Sequence, residues 1–154
     1  MEARGEEREN PFLEVGALLD LQSGVNGYAR TAHGGFYGVV LDEVMGTAAN
    51  MQASMYFCFP DLNFEVLPKS RFKKSKTNRK AEHGAFTASL TVKFKKPLCT
   101  PSVAVCKGKV AEKKGKKLTV KGSFEDKDGN ILAEADGIWI MVDRDIGRWT
   151  DAKL

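Results

Sequence analysis

Between Ala85 and Lys95 apolar and polar residues alternate without interruption, with Phe86, Ala88, Leu90, Val92 and Phe94 on one side and Thr87, Ser89, Thr91, Lys93 and Lys95 on the other. A period of two predicts a strand with one face buried and one wet. Downstream, Val103–Glu112 reads as a weaker strand ended by the turn-forming Lys113-Lys114-Gly115-Lys116, after which Leu118, Val120, Gly122 and Phe124 alternate again. Lys127-Asp128-Gly129-Asn130 supplies an Asp-Gly hairpin signal leading into a last strand, Ile131–Val142. Three consecutive strands of this kind predict an antiparallel meander.

Upstream the period changes. From Gly35 to about Met51, the residues Phe36, Val39, Val40, Val44 and Ala48 recur at helical spacing, and no proline interrupts them. This is the one substantial helix. Phe12, Val15, Leu18 and Leu19 stand three and four apart, which predicts a short amphipathic helix over Pro11–Leu21, packed as a lid or edge element. Met55–Phe59 reads as a further strand. Pro60–Gly84 has no clear period and reads as a long loop or insertion, of a length usually functional or disordered. One long helix with several antiparallel strands predicts an α+β domain in which the helix covers the apolar face of the sheet.

Composition narrows the class. The 154 residues, 42% of them hydrophobic, suit one core, so a single domain is expected over 11–146 between a flexible N-terminal tail, 1–10, and a C-terminal tail, 147–154. No run approaches the roughly 18 apolar residues that cross a bilayer, so no membrane span is expected. Cys58, Cys99 and Cys106 lack CxxC spacing, which argues against both a disulfide framework and a four-ligand zinc site and suits a reducing compartment. The net charge of +4 is unevenly placed, because Lys69–Lys80 carries only positive charge and would favour a phosphate-bearing partner. Ala152-Lys153-Leu154 resembles the peroxisomal C-terminal signal, so the expected location is the peroxisome, with its import receptor as a partner and the cytoplasm as the alternative.

The candidate chemistry sits at the start of the predicted helix. His33-Gly34-Gly35 leaves backbone N–H groups unobstructed at the positive end of a helix dipole, where an oxyanion can be held. The same glycines would also serve a tight turn. On a helical projection Asp42 falls among Gly38, Met45, Gly46 and Ala49, so its carboxylate faces either solvent or a cavity where substrate or another chain comes close. Glu43 falls with Phe36, Val39 and Thr47, where burial would favour acid–base work.

The stretch from His33 to Gly46 resembles the HGG-x6-[DE] signature of the hotdog-fold thioesterases related to the 4-hydroxybenzoyl-CoA and phenylacetyl-CoA enzymes. Asp42 stands nine positions after His33, the family spacing, and Glu43 is one late. The similarity runs through Ala85–Pro97 and the Asp128-Gly129 hairpin to Trp139, covering most of 26–142. It implies a hotdog fold, an antiparallel sheet wrapped around one long central helix, and hydrolysis of an acyl-CoA or acyl-carrier-protein thioester. It further implies Asp42 as base or nucleophile, the Gly34 N–H as oxyanion donor, His33 supporting the helix start or the substrate carbonyl, and Thr87 orienting water. Asn26, seven positions before His33, stands nearest to the Asn or Gln such families often carry. Gly35, Phe36 and Tyr37, with Tyr56 and Phe57, are candidates for the substrate pocket, and Lys93, Lys95, Lys96 or the basic run for coenzyme A phosphates. No cofactor beyond the substrate's coenzyme A and no metal is implied, and each site is expected to draw on two subunits of a homodimer or homotetramer.

Two other readings use the same residues differently. A hotdog hydratase or dehydratase would act on acyl thioesters but needs a histidine placed as acid or base in another motif. A nucleic-acid-binding module would use the 69–80 run, but Phe72 is its one interleaved aromatic, so stacking is weak and nucleic acid is not the expected partner.

Overall fold

The computed structural model describes residues 12–58 and 84–142. The N-terminal tail, the basic run 69–80, most of the expected loop and the C-terminal tripeptide lie outside those residues, as do the side chains of Tyr56, Phe57 and Cys58. The chain runs β1 (Glu14–Leu21), a short 3-10 turn (Ser23–Val25), β2 (Asn26–Tyr28), β3 (Thr31–Ala32), α1 (Gly34–Cys58), β4 (Gly84–Phe94), β5 (Ser102–Lys114), β6 (Lys117–Asp126) and β7 (Ile131–Val142). Five strands form one sheet in the order β1-β5-β6-β7-β4, and its four pairings are all antiparallel. The expected meander is present as β5-β6-β7, with α1 against one face of the sheet.

Turn chemistry explains the meander. Strands β5 and β6 are joined through Gly115 at φ +56, a conformation that suits a residue without Cβ. At the next turn the Asp126 carboxylate accepts the N–H groups of Asp128 and Asn130, each at 2.9 Å, and the Asn130 side-chain amide at 2.9 Å. Those bonds, the Asn130 side chain first, hold the Asp126 carboxyl below its ordinary range.

The helix packs close to the sheet because the sheet is thin beneath it. Gly108 and Gly122 are cross-strand partners on the inner face. A Cβ on Gly108 would stand 2.9 Å from Met45 Cα, and one on Gly122 only 2.5 Å from Met45 Sδ. Met45 therefore occupies space that side chains would otherwise fill. Around it Leu41, Ala48, Ala49 and Ala53 of α1 are buried with Cys106, Val110, Val120, Phe124 and Trp139 of the sheet. Full burial of a Leu, Val, Phe or Met side chain stabilises by roughly 1.5–3 kcal/mol, so this layer is the main support of the fold.

Three expectations are corrected. The region read as a helix over Pro11–Leu21 forms strand β1, whose Val15, Ala17, Leu19 and Leu21 pair in register opposite Gly108, Cys106, Ala104 and Ser102. Leu18, which the helical reading placed on the apolar stripe, is 75% exposed. The edge of β5 needed a strand, and the alternation Val15, Ala17, Leu19, Leu21 satisfied it. Met55–Cys58, read as a strand, continues α1. In β4 the alternation does not map onto one face: Thr87 pairs with Trp139 but Ser89 with Ile138, so Ala88 is bulged out of register. Ala85 and Thr87 face the helix before the bulge, and Leu90, Val92 and Phe94 face it afterwards. Phe86 is thereby turned to the outer face opposite Ile140, where it is 50% exposed.

Candidate active site

The helix start is built by the small β2-β3 hairpin. His33 N–H donates to Val25 O at 2.8 Å, and Ala32 N–H to Leu98 O at 2.9 Å, which fixes the chain as it enters α1. His33 then acts as the cap: its Nδ1 accepts the Gly35 N–H at 2.9 Å and its carbonyl accepts the Phe36 N–H at 2.9 Å. Gly34, first residue of the helix and exposed, has an N–H with no acceptor among the described residues. A Cβ at Gly34 would stand 3.6 Å from the Phe94 ring, so the aromatic end of β4 lies over the helix start. Asn26 is next to this junction, its Oδ1 taken by the Thr100 hydroxyl.

The carboxylate lies further along the helix. Asp42 is half-buried, and the Thr87 hydroxyl donates to its Oδ1 at 2.8 Å. Thr87 can reach it because the residues before the Ala88 bulge point at α1. Glu43 is exposed, so the burial that would have favoured it is absent. Asp42 and Thr87 open on a cleft of about 320 Å³ between α1 and β4, lined also by Glu43, Gly46, Asn50, Ala85 and Trp139. Asn50 ties the two walls together, its Oδ1 accepting the Ala85 N–H at 2.7 Å while its Nδ2 donates to Gly46 O at 2.8 Å. A larger cleft of about 460 Å³ lies on the outer face of the sheet among Lys93, Lys107, Lys109 and Lys121, away from both features.

These two centres do not meet within one chain. Eight residues of helix separate Gly34 from Asp42, which at about 1.5 Å per residue is about 12 Å. An oxyanion donor and a nucleophile acting on one carbonyl must each stand about 3 Å from their atoms. Lys95 and Lys96 belong to the Gly34 end: Lys95 pairs with Glu134 at 3.1 Å, and the Lys96 carbonyl accepts the Tyr37 hydroxyl at 3.5 Å. Phe36 is half-buried there, with its ring 6.4 Å from that of Phe124. Tyr37 is buried between the rings of Phe94 and Phe124, and burial pushes its phenol above the ordinary value.

Sequence reasoning had no role for Asn50, Phe94 or Trp139. The signal for Asn50 was its place eight residues after Asp42 and four after Gly46, on the same helix face. The other two depend on strand register across the bulge. Among the described residues no cluster of His, Cys, Asp or Glu is arranged to hold a metal ion, and no helix is long and apolar enough to cross a membrane.

The sequence profile of the thioesterase superfamily matches residues 29–133. No curated protein matches the chain. Among solved structures, protein RHA08564, a thioesterase superfamily protein, superposes with TM-score 0.61 at 19% identity; the match covers 82% of this chain, which spans about half (51%) of that protein. The smu.793 protein of Streptococcus mutans, solved bound to acetyl CoA, gives TM-score 0.63 at 11% identity, covering 85% of this chain and 82% of that one. The Escherichia coli PaaI protein, from the phenylacetic acid degradation operon, gives 0.62 at 11% identity, covering 84% and 72%. At these identities the likeness is one of fold, and the five-stranded sheet with its single long helix is the hotdog arrangement.

Proposed function

Because the chain belongs to the thioesterase superfamily, we propose that it hydrolyses an acyl-CoA thioester, with Asp42 as the residue that delivers water to the carbonyl or attacks it. The observation that carries this reading is the Thr87–Asp42 hydrogen bond at the mouth of the cleft between α1 and β4. It holds one carboxylate oxygen and leaves the other for the reaction. In the general-base route Asp42 takes a proton from water as the oxygen bonds to the carbonyl carbon. The oxyanion is held by a Gly34 N–H, and collapse expels the thiol, which receives the proton. In the nucleophilic route the carboxylate itself bonds to that carbon and the C–S bond breaks, the thiolate leaving and taking a proton from solvent; water later cleaves the resulting anhydride to the acid and free Asp42.

Because about 12 Å along one helix is too far for both groups to reach one carbonyl, this reading takes the Gly34 N–H from a second copy of the chain. Among the described residues strand β4 is an edge of the sheet with an unpaired row of backbone groups, which suits side-by-side pairing of two such sheets in a homodimer, alone or within a homotetramer. Lys95 and Lys96, at the Gly34 end, would then meet the phosphates of coenzyme A or the acidic surface of an acyl carrier protein.

The test is a panel of acyl-CoA and acyl-carrier-protein thioesters followed by free-thiol release, with wild type, Asp42→Asn and Glu43→Gln. The reading expects Asp42→Asn to lose about 10²–10⁴ in rate, the range of a positioned base. Retention of full activity by Asp42→Asn with loss in Glu43→Gln would move the base to Glu43. Label on Asp42 after a single turnover in heavy-oxygen water identifies the nucleophilic route, since water activated by a general base puts its oxygen only into the product acid.

A further inference from the structure

The indole of Trp139 is 1% exposed, and its N–H finds no acceptor among the described residues. An indole nitrogen can only donate, and a buried donor left unpaired is costly enough that native proteins rarely tolerate one. The position of this one is informative. Trp139 lies directly opposite Thr87 in the β4-β7 register, on the face toward α1, and it lines the cleft that holds Asp42. Its nitrogen edge meets Gly46, where a Cβ would stand 3.4 Å from Nε1, so position 46 brings no side chain against the N–H, and both residues line the cleft. The other polar groups at this depth are engaged within the chain. The Asn50 amide bridges Ala85 and Gly46, and the Thr47 hydroxyl donates to Glu43 O at 2.7 Å.

We propose that the Trp139 N–H recognises an oxygen carried by the acyl group, so that the preferred substrate is an acyl thioester bearing a hydroxyl or keto oxygen beyond its reacting carbonyl. This rests on the thioesterase reading of the cleft. Gly46 lies four residues beyond Asp42, about 6 Å along the helix, which sets the donor apart from the reacting carbon rather than beside it. A cleft with Ala85 in its wall and one fixed donor can orient a ligand through a single polar atom. It discriminates against an analogue lacking that atom, because the donor is then left buried and unpaired.

The test uses the full chain in a Trp149→Phe background, so that Trp139 is the remaining tryptophan of the two. The probes are hydroxyacyl-CoAs with the hydroxyl placed progressively further from the carbonyl, each beside its deoxy isostere, and the corresponding non-hydrolysable thioethers. One neutral hydrogen bond corresponds to about tenfold, so at one hydroxyl position kcat/KM is expected to exceed that of the isostere by about that factor. The same thioether should shift Trp139 emission while its isostere does not. Gly46→Ala, which keeps the indole and places a methyl against its nitrogen, and Trp139→Phe should each collapse the ratio, whatever the common rate. A wild-type enzyme with no preference overturns the proposal. So does a uniform fall in both variants with the ratio intact, which would assign the N–H to water or to a partner chain. If no thioester is turned over while the hydroxyl-bearing thioethers still shift the emission, the thioesterase reading fails and the recognition site stands.

Discussion

Gly34→Pro isolates the proposed oxyanion donor with little disturbance to the helix. Gly34 is the first helical residue, where proline is accommodated because its fixed φ suits the helix and the N–H there has no helical partner. The nearest group a Cβ would meet is the Phe94 ring at 3.6 Å, an ordinary contact. The His33 cap bonds to Gly35 and Phe36 rather than to Gly34, so it survives the change. What disappears is one N–H. Loss of a single oxyanion donor costs about 2.7–4 kcal/mol in the transition state, so kcat should fall by about 10²–10³ with KM little changed. The decisive assay mixes this variant with Asp42→Asn by co-expression. If Gly34 of one chain works with Asp42 of the other, each mixed dimer carries one intact site, and random pairing restores about a quarter of wild-type activity. If both groups act within one chain, no pairing restores anything. Absence of recovery from mixed dimers isolated by differential tags would refute the two-chain site, and an unchanged kcat in Gly34→Pro would refute the donor.

Other outcomes follow from single contacts. Thr87→Val removes the hydroxyl that holds Asp42 Oδ1 at 2.8 Å; with Asp42 partly solvated, the lower end of a charge-assisted bond applies, about 1.5 kcal/mol. The expectation is therefore about tenfold in kcat with KM unchanged and rescue by Thr87→Ser, measured by thiol release. Gly108→Ala drives a Cβ to 2.9 Å from Met45 Cα and 3.1 Å from Val44 O, backbone atoms that move only if the helix lifts. Overpacking of that kind costs about 1–3 kcal/mol, roughly 2–12 °C in Tm, whereas Gly16→Ala, with open space around it, should not lower Tm in the same melt. Burial pushes the Cys106 thiol up to about 12, so folded chains should alkylate at exposed Cys99 and spare Cys106, as peptide mapping will read. The raised value makes its contribution to stability fully present below the ordinary thiol value of about 8.5. It is lost as pH climbs toward the folded value, because the unfolded chain ionises first, so the urea midpoint should fall over that range.

How far the fold was legible depends on where periodicity and contact agree. The meander could be read because the apolar faces of its strands are also their buried faces and because Gly115 and Asp128-Gly129 punctuate the turns locally. The helix was legible as an element but not face by face, since Val39 of the expected stripe is 66% exposed while Leu41 and Met45 are buried. Strand β1 could not, because Leu18 and Leu19 are adjacent and fit either period; only the open edge of β5 decides between them. Met55–Cys58 is four residues of helix end, too short for its composition to outweigh the helix it continues. The β4 alternation looked perfect and was misleading. A bulge has no signature in a run of alternating residues, yet it reverses which side chains meet the helix, and it places Thr87 on Asp42.

The spacing from His33 to Asp42 carries more than a family resemblance. Along one helix it keeps Gly34 and Asp42 about 12 Å apart, too far to share a carbonyl. The same offset becomes productive if two antiparallel α1 helices are related by a two-fold axis passing at Gly38, midway between positions 34 and 42. Each Gly34 then falls beside the partner's Asp42. Gly34, Gly38, Asp42 and Gly46 follow one another at four-residue steps, so they share a helix face, and a Cβ on Gly38 would meet nothing within 4 Å in its own chain. A helix face of that kind lets a second helix approach closely at the place where the symmetry requires it. On this reading the small residues around Asp42 have two tasks on one stripe: Gly38 admits the neighbouring chain that brings the oxyanion donor, and Gly46, four residues past the carboxylate, brings no side chain against the Trp139 N–H that recognises the acyl group.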